Sequence, residues 1–277
     1  MSATGAGRPP IGADRELRSA LSPAALALGG ANIVMQLARL PVGRGVAESR
    51  VDSGNLYKRP LKRARTTFGY VLVALFGTDA EREALGRAVS AVHRRVRSRP
   101  GDPVVYDAAD PELQLWVAAC IYKGIEDAHR LLHGSAPPGE LYRRAARLAT
   151  TLQVPEGWWP ADRAEFEAYW REQTAAIEMD QVTRAFLWDF TGLGFLPWPF
   201  PALFGRVHRA VTAGFLPEEF RAELGLPWGP AEKVVFAANV AILRLADSLT
   251  PPPLRTLPFD MLLADMRRRI QSGRRVV

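Results

Sequence analysis

The sequence predicts an all-α fold built from about nine or ten amphipathic helices around one apolar core. Apolar residues recur with helical spacing along most of the chain, and alternating strand patterns and Asn-Gly or Asp-Gly hairpin turns are nearly absent. Prolines and glycines divide the periodic segments at short intervals, which is typical of many helices joined by tight connections. We therefore expect a single multi-helix bundle.

The first two helices are marked by their ends. Ser22 is a suitable N-cap and is followed by a proline, so we expect a first helix over Pro23–Val46. A second helix is predicted over Pro60–Phe76, ending at Gly77.

The third helix begins at a capping box. Thr78 is the N-cap and Glu81 lies three residues on, and the helical pattern continues to about Arg97. One face is an apolar stripe that consists of Leu85, Val89, Val92 and Val96. His93 lies on the edge of that stripe.

A loop over Ser98–Ala109 separates this helix from a central one. Asp110 caps the central helix, which runs to about His133. Its predicted inner face is Leu113, Val117, Cys120, Gly124, Ala128 and Leu131. Gly124 weakens a helix by about 1 kcal/mol relative to alanine, so we expect another element to pack closely against the backbone there.

The second half of the chain continues the pattern. Helices are predicted over 138–152, 202–212, 217–224, 230–249 and 258–272. Asp162 caps a further helix through about Ile177, after which the chain is expected to continue helically to Phe190. The alternating prolines of Phe195–Pro201 predict a non-helical apolar segment that packs on the core, covers a pocket or touches a lipid surface. The triple proline Pro251–Pro253 separates the last two helices.

Composition limits the domain organisation and the compartment. Hydrophobic residues make up 48% and charged residues 23%, as in ordinary globular proteins. We expect a flexible Gly-, Ala- and Pro-rich arm over residues 1–20, without the features of a signal peptide, and one domain over 21–277. The longest apolar stretch, Ala24–Ala38, falls short of the roughly 20 residues that span a bilayer. These features predict a cytoplasmic protein without a transmembrane segment.

The charge and the cysteine content exclude two classes of site. The formal charge is +7, but the basic runs are short and scattered among acidic residues, so no nucleic-acid partner is expected. Cys120 is the only cysteine, which rules out an intrachain disulfide and a cysteine-based zinc site.

Few residues remain as candidates for chemistry, because P-loop, Gly-x-Ser-x-Gly and His-Glu-x-x-His patterns are absent. His129 and His133 share a helix face and are suited either to a metal or to the dipole of the helix end. His93 is suited to a buried ligand such as haem iron, or to a hydrogen bond at the edge of the core. Arg63 and Thr67 also share a helix face. Either both contact a ligand there, or the arginine extends to solvent.

Several segments resemble one known family, in order and in spacing. They are Arg63-x-x-x-Thr67, Phe76-Gly77-Thr78, Ala91-Val92-His93-Arg94-Arg95-Val96-Arg97, Tyr106-Asp107-Ala108-Ala109-Asp110-Pro111-Glu112-Leu113, Trp159-Pro160-Ala161-Asp162 and Thr212-Ala213-Gly214-Phe215-Leu216-Pro217. From about Gly30 onward the chain resembles the superfamily of MpaB-type oxygenases and latex clearing proteins, the rubber oxygenases.

The resemblance implies a globin-like helical core around haem b. His93 matches the histidine that supplies the axial iron ligand, and Arg63 and Thr67 match an arginine and a threonine on the opposite, distal side. Where rubber oxygenases carry a distal lysine, this chain has Thr66, so lysine ligation of the iron is not expected. The chain also has Leu40 and Ala118 where many relatives carry histidine.

The resemblance also implies an activity. We expect a haem-dependent oxidoreductase, oxygenase-like, that uses dioxygen on an apolar small molecule or lipid, with Arg63 and Thr67 as the catalytic residues. The alternative is a non-catalytic protein of the same fold that binds haem or an apolar ligand. Peripheral contact with a membrane is compatible with either function.

Overall fold

A computed structural model describes Leu17, residues 28–49 and residues 56–276. This part of the chain contains twelve helices and no β-strand, which confirms the all-α prediction. In chain order the helices are α1 (Gly29–Leu37), α2 (Leu40–Ala47), α3 (Pro60–Phe76), α4 (Asp79–His93), α5 (Pro111–His133), α6 (Gly139–Thr150), α7 (Arg163–Ala175), α8 (Gln181–Thr191), α9 (Phe200–Phe215), α10 (Glu218–Leu224), α11 (Pro230–Leu249) and α12 (Pro252–Gln271).

Helix α5 is the centre of the bundle, as its length and apolar pattern predict. It packs against α1 and α6, and α11 contacts it near its C-terminal end. Trp116 is fully buried and stacks on Trp170 of α7 and Phe220 of α10, at ring-centroid distances of 5.4 and 6.5 Å. The core is thus a stack of aromatic rings that joins three helices distant in sequence.

Gly124 lies where α1 crosses α5, and the expectation of a close approach is confirmed. A Cβ atom at this position would lie 2.3 Å from the side-chain nitrogen of Asn32. That amide donates a hydrogen bond of 2.6 Å to the carbonyl oxygen of Cys120, one turn earlier in α5. The missing side chain therefore makes room for a polar contact between the two helices.

Three predicted N-caps, Thr78, Asp110 and Asp162, are confirmed. The Thr78 hydroxyl accepts from the backbone of Glu81, whose carboxylate accepts from the backbone of Thr78 in return. Asp110 and Asp162 cap α5 and α7 through their side chains. Helix α3 has the predicted bounds and ends at Gly77.

The prediction of one continuous first helix is wrong. The chain breaks at Ala38 and Arg39, and α2 begins with Pro41 in its first turn. A continuous helix would require a backbone donor at Pro41, which proline lacks. Ser22 and Pro23 lie outside the described residues, as does most of the predicted arm, although Leu17 is helical and only 1% exposed in the core.

Two further helices end earlier than predicted. Helix α4 stops at His93 rather than near Arg97, because the chain turns at residues 94–95 and Arg97 then pairs with Asp107 in an isolated antiparallel bridge. Helix α7 ends at Ala175, close to the predicted end at Ile177, but the helical continuation is interrupted until Asp180 accepts a hydrogen bond from the backbone of Thr183 and starts α8.

Two proline-rich boundaries also differ from prediction. Helix α9 already begins at Phe200, because Pro201 lies in the first turn, where a helix needs no backbone donor. Phe195 packs against the core as expected, whereas Trp198 is 83% exposed. Helix α12 begins at Pro252 and accommodates Pro258 in its interior.

No single helix in the described part of the chain has the length and apolarity needed to cross a membrane. Helices α11 and α12 reach that composition only as a pair, and they are bent by 92° relative to each other.

Candidate functional site

A cavity of about 260 Å³ lies between α1 to α5 and the loop that follows α4. Its wall is mostly apolar and includes Leu37, Val42, Val89, Val92, Val117 and Ile121. Leu113 and Val117, two residues of the predicted inner face of α5, also line it. The cavity is therefore a site for a largely apolar molecule.

His93 lies in this wall because it is the last residue of α4, where its backbone carbonyl accepts from Val96 as the chain turns. Its Nδ1 atom is buried and has no hydrogen-bond partner of normal geometry. Burial lowers the pKa of the imidazole to about 4, and the nearby Arg63 charge adds to this effect. The backbone of Ala108 and the Asp107 carboxylate act weakly in the opposite direction.

Arg63 and Thr67 lie one turn apart on α3 and line the same cavity. Arg63 has many protein atoms around it, yet more than a third of its surface is accessible. Burial lowers the pKa of its guanidinium, which has no carboxylate partner in the described part of the chain. The Thr67 hydroxyl likewise forms no hydrogen bond with the described residues, so both side chains can donate to a ligand.

Thr66 lines the cavity as well, but its hydroxyl is not directed at a ligand. It donates back to the carbonyl oxygens of Lys62 and Arg63, each at 3.0 Å. Thr66 therefore contributes the methyl side of its side chain rather than a polar group.

Gln114 was not predicted as a site residue. Its side-chain nitrogen donates to the carbonyl oxygen of Ala108 at 2.8 Å, and its side-chain oxygen accepts from the backbone of Gln153 at 2.9 Å. Both Gln114 and Ala108 line the cavity. Gln114 thus holds the segment after α4 against the wall that contains His93, and the only sequence signal was a glutamine beside an apolar helix face.

The other histidines lie away from the cavity. His129 and His133 are neighbours at 4.7 Å between ring centroids near the end of α5, and the His129 Nδ1 contacts the carbonyl oxygen of Ser135. His208 contacts the carbonyl oxygen of Thr191. The described residues include no group of three side chains suited to hold a metal ion. A metal in the cavity would therefore need His93 and further ligands that belong to a bound cofactor.

The lowered pKa of His93 predicts a pH-dependent stability for the ligand-free protein. Between the folded pKa of about 4 and the ordinary value of 6.5, the unfolded chain binds the extra proton. Stability is therefore complete above pH 6.5 and decreases as the pH falls toward 4. From pH 7 to pH 5 the wild type should lose about 2 kcal/mol more than His93→Gln in urea unfolding. Equal losses in the two proteins would contradict the buried, neutral imidazole.

In chemical terms, the site combines a neutral imidazole with two hydrogen-bond donors in the wall of one apolar cavity. A neutral imidazole is the form that binds a metal ion without first releasing a proton. The donors on α3 are suited to a small anionic or electron-rich group held inside the cavity.

Comparison with known proteins identifies the family of the chain. Residues 18–245 match the family model described as "ER-bound oxygenase mpaB/B'/Rubber oxygenase, catalytic domain". Uncharacterized proteins of Mycobacterium tuberculosis and Mycobacterium bovis are each 46% identical over 253 residues, which cover 90% of this chain and 99% of theirs. No solved structure matches the chain significantly. On the extent of the family match, the chain belongs to the mpaB and rubber oxygenase catalytic-domain family.

Proposed function

We propose that this protein is a haem b-dependent oxygenase that uses dioxygen on an apolar small molecule or lipid. One observation carries the proposal. His93 from α4 and the Arg63 and Thr67 pair from α3, about 30 residues apart in sequence, line one apolar cavity. The oxygenase description of the family supports the same reaction class.

The residues of the cavity fit a haem. A haem needs apolar walls and one axial side chain, and the cavity offers both. The buried Nδ1 of His93 has no hydrogen-bond partner among the described residues, so a ligand in the cavity would satisfy a polar atom that the protein leaves unpaired. A helical shell with a histidine at its inner wall is the globin-like core that we propose.

His93 would hold the iron and the walls of α1, α2 and α5 would hold the macrocycle. When bound, the haem supplies the redox chemistry that activates dioxygen. Arg63 and Thr67 would orient the reacting molecule by donating hydrogen bonds into the cavity. The apolar wall would exclude water and favour a substrate without charge.

The test is the absorption spectrum of the protein purified with haem supplied, together with its iron content. Bound haem should give a Soret band distinct from that of free haem, with about one iron per chain. A protein that remains colourless, or that binds haem no better than an unrelated helical protein, would exclude the proposal.

Removing the donor at position 63 should lower the rate and leave the cofactor in place. Arg63→Met keeps the length of the side chain but not its hydrogen bonds, so dioxygen uptake with a reductant should fall about 100-fold with the Soret band retained. Thr67→Val should reduce uptake about tenfold, since it removes one hydroxyl. The control is Arg171→Met, an exposed arginine on α7. Unchanged uptake in Arg63→Met would assign this arginine a structural role.

A second candidate is a non-catalytic binder of haem or of an apolar ligand. It is favoured by the Thr66 hydroxyl, which bonds to the backbone and leaves few polar groups facing the cavity. A pure binder should give the Soret band but consume no more dioxygen than free haem.

A further inference from the structure

The second half of the chain exposes an unusual amount of apolar surface. Eleven large apolar side chains are at least 44% exposed. They lie in the segment before α9, in α9 itself, in the second half of α11 and in the first half of α12. They are Trp198, Phe200, Leu203, Phe204, Val207, Ile242, Leu245, Leu249, Leu254, Leu257 and Met261. We refer to this set as the apolar face.

The helices of the apolar face lie side by side. Helices α9 and α11 pack against each other, with Phe215 at the end of α9 in ring contact with Phe236 near the start of α11, at 5.0 Å. The two helices therefore run antiparallel, which places the second half of α11 beside the first half of α9. Arg255 joins α12 to this end through the carboxylate of Asp247, at 3.5 Å, and through the carbonyl oxygen of Thr250.

The apolar residues form stripes on the outer sides of these helices. Ile242, Leu245 and Leu249 have helical spacing, as do Leu254, Leu257 and Met261. A surface helix normally directs polar residues outward, whereas these turns of α11 and α12 direct apolar residues outward. Apolar patches of this extent mark sites of contact with a protein or a membrane.

The charges around the apolar face indicate which contact it makes. The chain carries a formal charge of +7, and Arg206 of α9 is exposed three residues from Leu203. Helix α9 contains no acidic residue, Asp247 of α11 is only 8% exposed and paired with Arg255, and Asp260 of α12 is partly buried. A second copy of the chain would bring like charges together, whereas an anionic surface would attract them.

We propose that the apolar face docks on the surface of a bilayer that contains anionic lipids. Trp198, Phe200 and Phe204 belong to it, and aromatic rings of this kind suit the boundary between headgroups and acyl chains. The leucine, isoleucine and methionine side chains enter the upper acyl region, and Arg206 contacts a lipid phosphate.

The apolar face also leads toward the cavity. Phe195, three residues before Trp198, is in ring contact with Tyr57 at 6.4 Å, and Tyr57 packs on Phe186 at 5.3 Å. Phe186 lines the cavity. Delivery of an apolar substrate from the bilayer rests on the proposed function, whereas docking does not.

The test is co-sedimentation of the full-length protein with vesicles of phosphatidylcholine, with and without about one third phosphatidylglycerol. The variant Leu203→Glu/Ile242→Glu should bind the anionic vesicles about 100-fold more weakly, because two exposed apolar anchors become charged. Its control, Val105→Glu/Val182→Glu, has the same change in charge at exposed valines outside the face and should bind far better than the test variant. Both pairs are exposed, and circular dichroism verifies that each variant is folded.

The electrostatic part is tested separately. Arg206→Gln should weaken binding to anionic vesicles by about fivefold at low salt. Arg171→Gln removes an exposed arginine elsewhere and should have a smaller effect.

Three results would overturn the proposal. The first is a wild type that binds neither kind of vesicle, and the second is an equal loss of binding in the two glutamate variants. The third is a wild type that does not bind vesicles but forms a dimer in light scattering, where the dimer is separated into monomers by Leu203→Glu/Ile242→Glu. That result would make the face an interface between two copies. Each can be distinguished from failure of the haem proposal, because vesicle binding is measured without reference to the Soret band.

Discussion

His93→Ala is expected to abolish the Soret band that the wild type shows when haem is supplied. The imidazole is the only histidine side chain in the described wall of the cavity, and its low pKa keeps it neutral and able to bind iron at pH 7. Loss of a residue that only orients a metal ligand costs about 10- to 100-fold in affinity, so loss of the ligand itself should cost more than about 100-fold. A haem titration followed by absorbance measures this change.

Two controls separate ligation from general damage. His129→Ala removes a histidine outside the cavity and should leave the haem titration unchanged. Added imidazole should restore a Soret band to His93→Ala, because the truncated side chain leaves room for it beside the cavity. A band of normal position and affinity in His93→Ala without imidazole would show that another group holds the iron.

The starts of α4, α5 and α7 were predicted correctly because capping is local. Thr78 and Glu81 satisfy each other's backbone groups within one turn, and Asp110 and Asp162 reach amides two or three residues on. Such contacts depend on residue type and spacing alone, which a sequence contains in full.

The breaks at Ala38–Arg39 and after Ala175 are also stabilised by contacts across the fold. The backbone N–H of Glu178, in the second break, donates to the carbonyl oxygen of Ala38, in the first, at 3.1 Å. Asp180 also pairs with Arg44 of α2 at 2.9 Å. Each break is thus stabilised by the other, and neither is visible in a periodicity that considers one segment at a time.

The prediction of the site rests on two sources, helical spacing and the family resemblance. Helical spacing alone places Arg63 and Thr67 on one face of α3 and His93 at the edge of the α4 stripe. That α3 and α4 direct these residues into one cavity followed only from the family resemblance. Gln114 was missed because its partners, Ala108 and Gln153, become neighbours only when three segments pack together.

Trp116→Ala should be the most destabilising substitution considered for this protein, by about 5 kcal/mol. The indole is fully buried, so its removal leaves a large cavity between Trp170 and Phe220, which costs about 3–5 kcal/mol. Its Nε1 also donates to the carbonyl oxygen of Gln36 at 3.0 Å, and an unpaired buried carbonyl adds about 1–3 kcal/mol, partly offset by relaxation. Urea unfolding at pH 7 measures the sum.

A loss of this size matters because whole domains are stable by only about 5–15 kcal/mol, so Trp116→Ala should be largely unfolded or unfold at low urea. Trp198→Ala is the matched control, since that indole is 83% exposed and its removal should change stability by less than about 0.5 kcal/mol. Trp116→Phe should fall between the two, because it retains the ring stacking and loses the hydrogen bond to Gln36. Gln36 also lines the cavity, so Trp116→Phe should weaken haem binding as well as stability. If Trp116→Ala and Trp198→Ala had equal stability, the aromatic stack of α5, α7 and α10 would not be the centre of the core.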